Sequence, residues 1–458
     1  MSSTPSGGLF AGVFARGPVA GQVDDRAFLQ ALLDAEAALA RASATAGLFP
    51  AEAAEAIAAR CHAGLFDADA LGRRAAASGN PVVPLVRTLA AQVDGDAAEH
   101  VHQGATSQDI LDTAAMLIAR RALAPLLDDL AAAAAACARL ADEHRGTVLA
   151  GRTLLQQATP TSFGLKAAGW LVGLDEARRR LDEVREQALA VQLGGAAGTL
   201  AAFGDDGLAV LANLAAELGL AEPTLPWHTV RLRPAALAGA LGATAGVLAK
   251  VARDVVLLAQ TEVAEVAEAG GGGRGGSSTM PHKRNPVAAV AVTGCAARVP
   301  GLVATMLAAM PQEHERAAGA WHAEWETLTE LLRLVGSAAS WLRELLEGLR
   351  VDPARMRANL DASGGLPMAE AVTAALAAGL GRRRARELVD RAAARAAAER
   401  RPLRDVLLET PEAAGLDAAA LDRALDPLAY LGAAGALIDR ALAAHRAAAA
   451  APATKEQG

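Results

Sequence analysis

The chain has 458 residues, 52% hydrophobic and only 3% aromatic, which is enough for a large core and too long for one compact unit. Lys and Arg number 44 against 51 Asp and Glu, a net charge of −7 without long basic runs, so a nucleic-acid-binding face is excluded and any anionic substrate must be held by a few local cations. The three cysteines, Cys61, Cys137 and Cys295, lie far apart without CxxC spacing, which excludes a disulfide framework and a zinc site and reads as buried thiols in a reducing compartment.

Alanine dominates, with Leu, Glu and Arg frequent and one Tyr, so the predicted class is all-α. The opening stretch MSSTPSGGLFAGVFARGPVAG has no basic region and is interrupted by Gly and Pro, which argues against a signal peptide. Short amphipathic helices are predicted over residues 28–63 and 85–93, broken at residues 47–50 and at the turn Ser78-Gly79-Asn80-Pro81. They make up a first helical domain, residues 1–106. Over residues 107–349 the predicted helices become much longer, with breaks at Gly146, 194–198, 222–227, 270–276 and Pro311, the pattern of a long-helix bundle.

Within it Leu237, Leu241, Thr244, Leu248, Val251, Val255 and Leu258 alternate steps of four and three, the seam of a core helix. Glu262 continues that stripe as a charge, which predicts either a buried ion pair or part of a site. After Val351-Asp352-Pro353 the helices shorten again, giving a third domain over 350–458 that ends near Ala444 and a tail expected to fray. The longest alanine run, 131–138, is far short of a membrane span, so a cytoplasmic protein without membrane contact is expected.

The stretch richest in chemistry is GGGGRGGSSTMPHKRNP, residues 270–286, a glycine-rich loop that ends in a helix start, with Asn285 suited to the cap and Pro286 to the first position. Residues 271–276 match GxGxxG but follow a helix rather than a strand, and no P-loop spacing is present, so a nucleotide fold is rejected. Composition alone allows a flexible linker. Two serines, a Lys, an Arg and a helix N-terminus within ten residues can instead bring a proton-transfer group and positive charge to one carboxylate.

Here the sequence resembles the fumarase/aspartase superfamily, whose signature GSSxMPxKxNP is matched by Gly276, Ser277, Ser278, Met280, Pro281, Lys283, Asn285 and Pro286. The resemblance implies three helical domains, a central five-helix bundle, and a homotetramer whose active sites combine segments of three subunits; no cofactor is expected. It also implies that Ser277 removes or returns the proton on the carbon α to a carboxylate, with Lys283 and Asn285 holding that carboxylate as it gains charge and Ser278 and Met280 beside them.

A second family segment is HQGATSQDILDT, residues 102–113, in which Thr106 and Ser107 match carboxylate-binding hydroxyls and His102 is a further binding candidate. Without the family, Thr106 or Ser107 reads as a helix N-cap, and both roles can hold together. The third segment is GRTLLQQATPTSFGLK, residues 151–166, with Arg152 and Gln156 as candidates for substrate contact. Fumarases and the adenylosuccinate and argininosuccinate lyases carry a histidine after GRT that is tied to the leaving-group proton, whereas this chain has Leu154. The histidine that adenylosuccinate lyases carry near residues 80–83 is missing too.

An amine or hydroxide leaves poorly unless protonated, whereas a carboxylate, of pKa near 4, leaves unaided. Lactone opening and closure meet that condition. The resemblance accordingly narrows to the bacterial 3-carboxy-cis,cis-muconate cycloisomerases, which share stretches like SGNPVVPLV at Ser78, LPWHT at Leu225, QTEVAEV at Gln260 and PQEHERAAGAWHAEW at Pro311. It implies a small tricarboxylate substrate. His314, Glu315 and Arg316 form a polar knot that reads either as a helix cap or as a contact to the extra carboxylate. No histidine pair has HExxH spacing, so no metal is expected.

Overall fold

The computed structural model describes residues 8–269, 275–276, 279–413 and 418–450. Among these, five helices of 22 to 37 residues dominate: Ser107–Glu143, Phe163–Gln187, Leu232–Leu258, Val287–Ala308 and Ala320–Glu347. They are separated where the sequence supplies Gly, Pro and polar residues. The seam of the Leu232–Leu258 helix is buried along its whole length, none of its seven side chains exceeding 4% exposure, as the alternation of four and three requires. That helix and Val287–Ala308 are long and apolar enough to cross a bilayer, yet 50% and 39% of their most apolar windows are buried by the chain itself, as befits core helices.

Beyond Leu258 the stripe does not continue, which corrects the reading of Glu262. The helix ends, the Ala264 backbone adopts a left-handed φ of 50°, and Glu265 N–H returns to the Leu258 carbonyl, so Glu262 is exposed. The buried carboxylate is Glu265, fully enclosed and gripped by both terminal nitrogens of Arg152 at 2.7 and 2.9 Å. A buried pair exists, then, three residues later than the periodicity placed it.

The chain forms two compact units. One comprises residues up to Leu130, Glu176–Lys250 and Ala291–Leu342; the other Ala131–Asp175, Val251–Val290 and the chain from Arg343 on. Every cut falls inside one of the five long helices, so each lends residues to both units. In the first unit the Asp25–Thr45 helix, capped by Asp24 accepting from Ala27 N–H at 2.8 Å, packs against Ala51–Ala58 and Gly207–Leu218.

The second unit holds a feature that helical periodicity does not signal. Val148–Thr153 and Gln156–Ser162 pair antiparallel as a hairpin, with Thr153 opposite Gln156 and an irregularity between Ala150 and Arg152. Its two-residue tip is Leu154-Leu155, both at positive φ (51° and 64°) and exposed by 97% and 71%. Asn-Gly is the usual occupant of such a turn, and a leucine there costs about 1–2 kcal/mol. Leu360 of the Pro353–Asp361 helix packs under Val148 and Ala150.

Four short helices, Ala369–Leu380, Arg382–Glu399, Leu403–Leu408 and Ala418–Leu425, enclose a separate core around Val372, Leu388, Val389 and Val406. The last helix, Ala434–Ala450, runs past the expected end at Ala444; the tail from 451 lies outside the described residues. All three cysteines are buried, as their isolation suggested, and burial first of all pushes the Cys61 thiol up to about 12.

Leu248 is fully buried in the seam, so Leu248→Ala should lower stability by about 2–5 kcal/mol. Chemical denaturation checks this, and an unshifted midpoint would remove the seam from the packed core.

Candidate functional site

The Ser107–Glu143 helix begins where the sequence places carboxylate-binding hydroxyls. Thr106 occupies the cap: its carbonyl accepts from Asp109 N–H at 2.9 Å, and its own N–H donates to Asp109 Oδ2 at 3.0 Å, the reciprocal bond of a capping box. Ser107 is the first helical residue, and both are half-buried. The N-cap reading is therefore realised at Thr106, and the helix terminus it caps retains partial positive charge for an anion.

Asp109 does more than cap. It is fully buried, and besides Thr106 it accepts from Gly194 N–H (3.0 Å), Gly195 N–H (2.9 Å) and His228 Nε2 (2.6 Å). Four donors fill the four acceptor sites of an ionised carboxylate, and an acceptor-only carboxylate requires the His228 proton on Nε2. The turn needs its glycines: Gly195 has φ 70°, and a Cβ on Gly194 would meet His228 Cε1 and Pro226 Cβ at 2.8 Å.

One helical turn further, Asp112 takes both terminal nitrogens of Arg231, at 2.7 and 2.9 Å, while Arg231 also holds Glu324 through Nε at 3.0 Å. All three are nearly inaccessible. Trp321 Nε1 and Gln108 Nε2 add bonds to Asp112 at 3.0 and 3.1 Å. Burial alone would lower the Arg231 pKa, but Asp112 and then Glu324 outweigh it and raise it, locking the guanidinium in its charged form. Burial raises the Glu324 pKa, with Arg231 opposing, because one guanidinium serves two carboxylates.

Arg316 contrasts with this. Its Nη1 donates to Gln108 Oε1 (3.0 Å) and its Nη2 to the Gly195 and Ala196 carbonyls (3.3 and 3.0 Å), so each bond among the described residues ends on a neutral oxygen. A half-buried guanidinium held in place, with no carboxylate partner among the described residues, can pair with an anion. His314, at φ 45°, is exposed; its carbonyl accepts from Thr229 Oγ1 at 2.9 Å, and Pro311 bridges Val230, so this loop is pinned to the segment carrying His228.

His102, also at left-handed φ (61°), places Nδ1 2.7 Å from Glu36, a carboxylate 1% exposed on the Asp25–Thr45 helix. Burial lowers its pKa, but Glu36, by charge and hydrogen bond, and then Asp109 outweigh that, and the net shift is upward.

The second unit holds the remaining candidates. Ser277 and Ser278 lie outside the described residues. Around them, Gly276 bridges Arg284 and Asn285 N–H donates to the Gly275 carbonyl at 2.8 Å. Met280 and Lys283 are exposed, joined by a Lys283 N–H to Met280 carbonyl bond, and Asn285 is half-buried.

The expected cap at this helix is corrected. The helix starts at Val287, after Pro286, and Glu268 supplies the capping carboxylate, accepting from Ala288 and Ala289 N–H at 3.1 and 2.9 Å. A charge at a helix N-terminus outcompetes a neutral amide. Arg152 spends both terminal nitrogens on Glu265, and Gln156 is exposed at the base of the hairpin tip.

The first unit thus brings together His102, Thr106, Ser107, His314 and Arg316 through Gln108, Asp109, the Gly194-Gly195 turn and His228. Asp109, Asp112, His228, Arg231 and Glu324 escaped sequence reasoning. A signal existed: in SQDILDT the polar residues 108, 109, 112 and 113 recur at helical spacing on one face, and that face is buried.

Comparisons with known proteins agree with this architecture. The lyase family profile matches residues 14–301, and the profile of the adenylosuccinate lyase C-terminus matches 365–441. The chain is 52% identical to a 3-carboxy-cis,cis-muconate cycloisomerase of Pseudomonas aeruginosa, covering 98% of both chains. It is 49% identical to a nitrosuccinate lyase of Streptomyces davaonensis, covering 96% of each. The crystal structure of the 3-carboxy-cis,cis-muconate lactonizing enzyme from Pseudomonas putida superposes with a TM-score of 0.92 at 47% identity, over 96% of this chain and all of that one. The fold is therefore the all-helical fumarase/aspartase fold.

With a folded-state pKa raised above the ordinary value near 6.5, His102 contributes stability that is complete below that value and is lost as pH rises through the folded pKa. His102→Gln should therefore destabilise most below about pH 6.5 and progressively less above it. Melting temperatures of both proteins across that range check this; a difference that grows with pH would contradict the Glu36–His102 pairing.

Proposed function

Because this chain belongs to the lyase family of fumarase and aspartase, we propose that it catalyses the reversible lactonisation of 3-carboxy-cis,cis-muconate to 4-carboxymuconolactone. One carboxylate oxygen adds to the carbon β to a second carboxylate. The C=C electrons move onto the α carbon and its carboxylate, and that carbon takes a proton. Ser277 delivers the proton and recovers it in the reverse direction, Lys283 and Asn285 hold the carboxylate that gains charge, and the Thr106 and Ser107 hydroxyls at the helix start share that load.

The observation that carries the reading is the hairpin tip. Where lyases that expel an amine or hydroxide have a histidine, this chain presents Leu154, 97% exposed and without a proton to give. Only a leaving group that departs unprotonated suits such a site, and a carboxylate does. Arg316, held by neutral oxygens, supplies the cation for a further carboxylate of a tricarboxylate substrate. Arg152, anchored to Glu265, is the weaker candidate for that role.

The same proposal carries three domains, residues 1–106, 107–349 and 350–458, a homotetramer with shared active sites, a cytoplasmic location and a place in protocatechuate breakdown through β-ketoadipate. The Streptomyces relative favours a second reading, elimination of nitrite from nitrosuccinate, another group that leaves unprotonated.

The test mixes the purified protein with 3-carboxy-cis,cis-muconate and follows loss of the conjugated diene by ultraviolet absorbance, with nitrosuccinate and adenylosuccinate in parallel. Diene loss with lactone formation is expected, and Ser277→Ala should slow it roughly a hundred- to ten-thousandfold at unchanged melting temperature. Fumarate release from nitrosuccinate without diene loss would replace the lactonisation reading, and wild-type rates in Ser277→Ala would remove that serine from the chemistry.

A further inference from the structure

Asp109 does not touch Arg316 directly, yet it is joined to it through hydrogen-bonded intermediaries. Its Oδ1 and Oδ2 hold the N–H groups of Gly194 and Gly195, and the carbonyls of Gly195 and Ala196, the outer face of the same turn, hold Arg316 Nη2. Gln108, its neighbour on the helix, holds Arg316 Nη1 through Oε1 and, through Nε2, the His228 carbonyl. His228 closes the circuit by donating from Nε2 to Asp109 Oδ1. We propose that Asp109, backed by His228, is a positioning residue that aims the Arg316 guanidinium by clamping the Gly194-Gly195 turn from inside.

The arrangement follows from what each group can do. A turn with a left-handed glycine exposes backbone N–H groups on one side and carbonyls on the other, so a buried anion can fix the first set while the second remains free to grip a cation. An asparagine at position 109 keeps the shape but turns one acceptor into a donor, leaving two of the four N–H groups facing N–H. The turn is then held at one edge only, and the carbonyls that orient Arg316 loosen with it. Arg316 has no carboxylate partner among the described residues, so its direction is set by these two turn carbonyls together with Gln108 Oε1. The inference rests on the reading that Arg316 binds a substrate carboxylate, and it names the residue that makes this binding effective.

Two measurements on the full-length enzyme test it. In the first, which needs no substrate, phenylglyoxal modification of Arg316 is followed by peptide mass spectrometry in the wild type and in Asp109→Asn. Labelling about tenfold faster in the variant is expected, and an unchanged rate would overturn the proposal.

In the second, KM for 3-carboxy-cis,cis-muconate is compared across Asp109→Asn, Arg316→Gln and the double variant. Asp109→Asn should raise KM about tenfold when Arg316 is present and less than about twofold when it is absent, with kcat little changed. Equal effects in both backgrounds would mean that Asp109 serves the fold alone and would overturn the linkage. Should Asp109→Asn fail to fold, His228→Leu removes one donor and leaves the turn in place. The same comparison then reads a shift of about threefold that must vanish in the Arg316→Gln background. Faster labelling without turnover of carboxymuconate would uphold the linkage and count against the substrate assignment alone.

Discussion

A single buried carboxylate, Asp109, holds together the start of the longest helix, a glycine turn from residues 194–195 and the imidazole of His228. Burying a charge is costly unless every lone pair is used, and four N–H donors use them. The donors come from three separate segments, so the bonds that make the charge tolerable also tie the helix start to the glycine turn that carries the carbonyls bound by Arg316. The neighbouring group of Asp112, Arg231 and Glu324 does the same a turn below, where removing the cation would strand two carboxylates in the interior.

On that frame the distribution of charge becomes chemically meaningful. Arg231 and Arg152 are each paired with a buried acid. Among the described residues Arg316 is held by carbonyl and amide oxygens, so no described carboxylate offsets its charge in a protein whose net charge of −7 attracts no anion from afar. The hairpin tip supplies the complementary fact: Leu154 and Leu155 keep a strained left-handed turn and offer no proton.

Much of this was legible in the sequence, for particular reasons. The 237–258 seam could be read because a single helix keeps one period throughout. Glu262 was misplaced because the same period was extended past Leu258, where the backbone turns. The helix start at Thr106 was legible as a motif, since a cap depends on residue types at fixed spacing. The hairpin was hidden because its tip has two leucines where a turn ordinarily shows Asn or Gly, and the Glu268 cap because it reaches a helix about twenty residues away. Asp109 and His228 were hidden for a related reason: they are 119 residues apart, and their value lies wholly in meeting.

The most direct measurement is calorimetric binding of propane-1,2,3-tricarboxylate, an unreactive tricarboxylate, to the wild type and to Arg316→Gln. If the guanidinium is the anion's partner, the variant should bind about tenfold or more weakly, with most of the favourable enthalpy lost. Equal affinity in the two proteins would contradict the assignment of Arg316 as the carboxylate-binding cation.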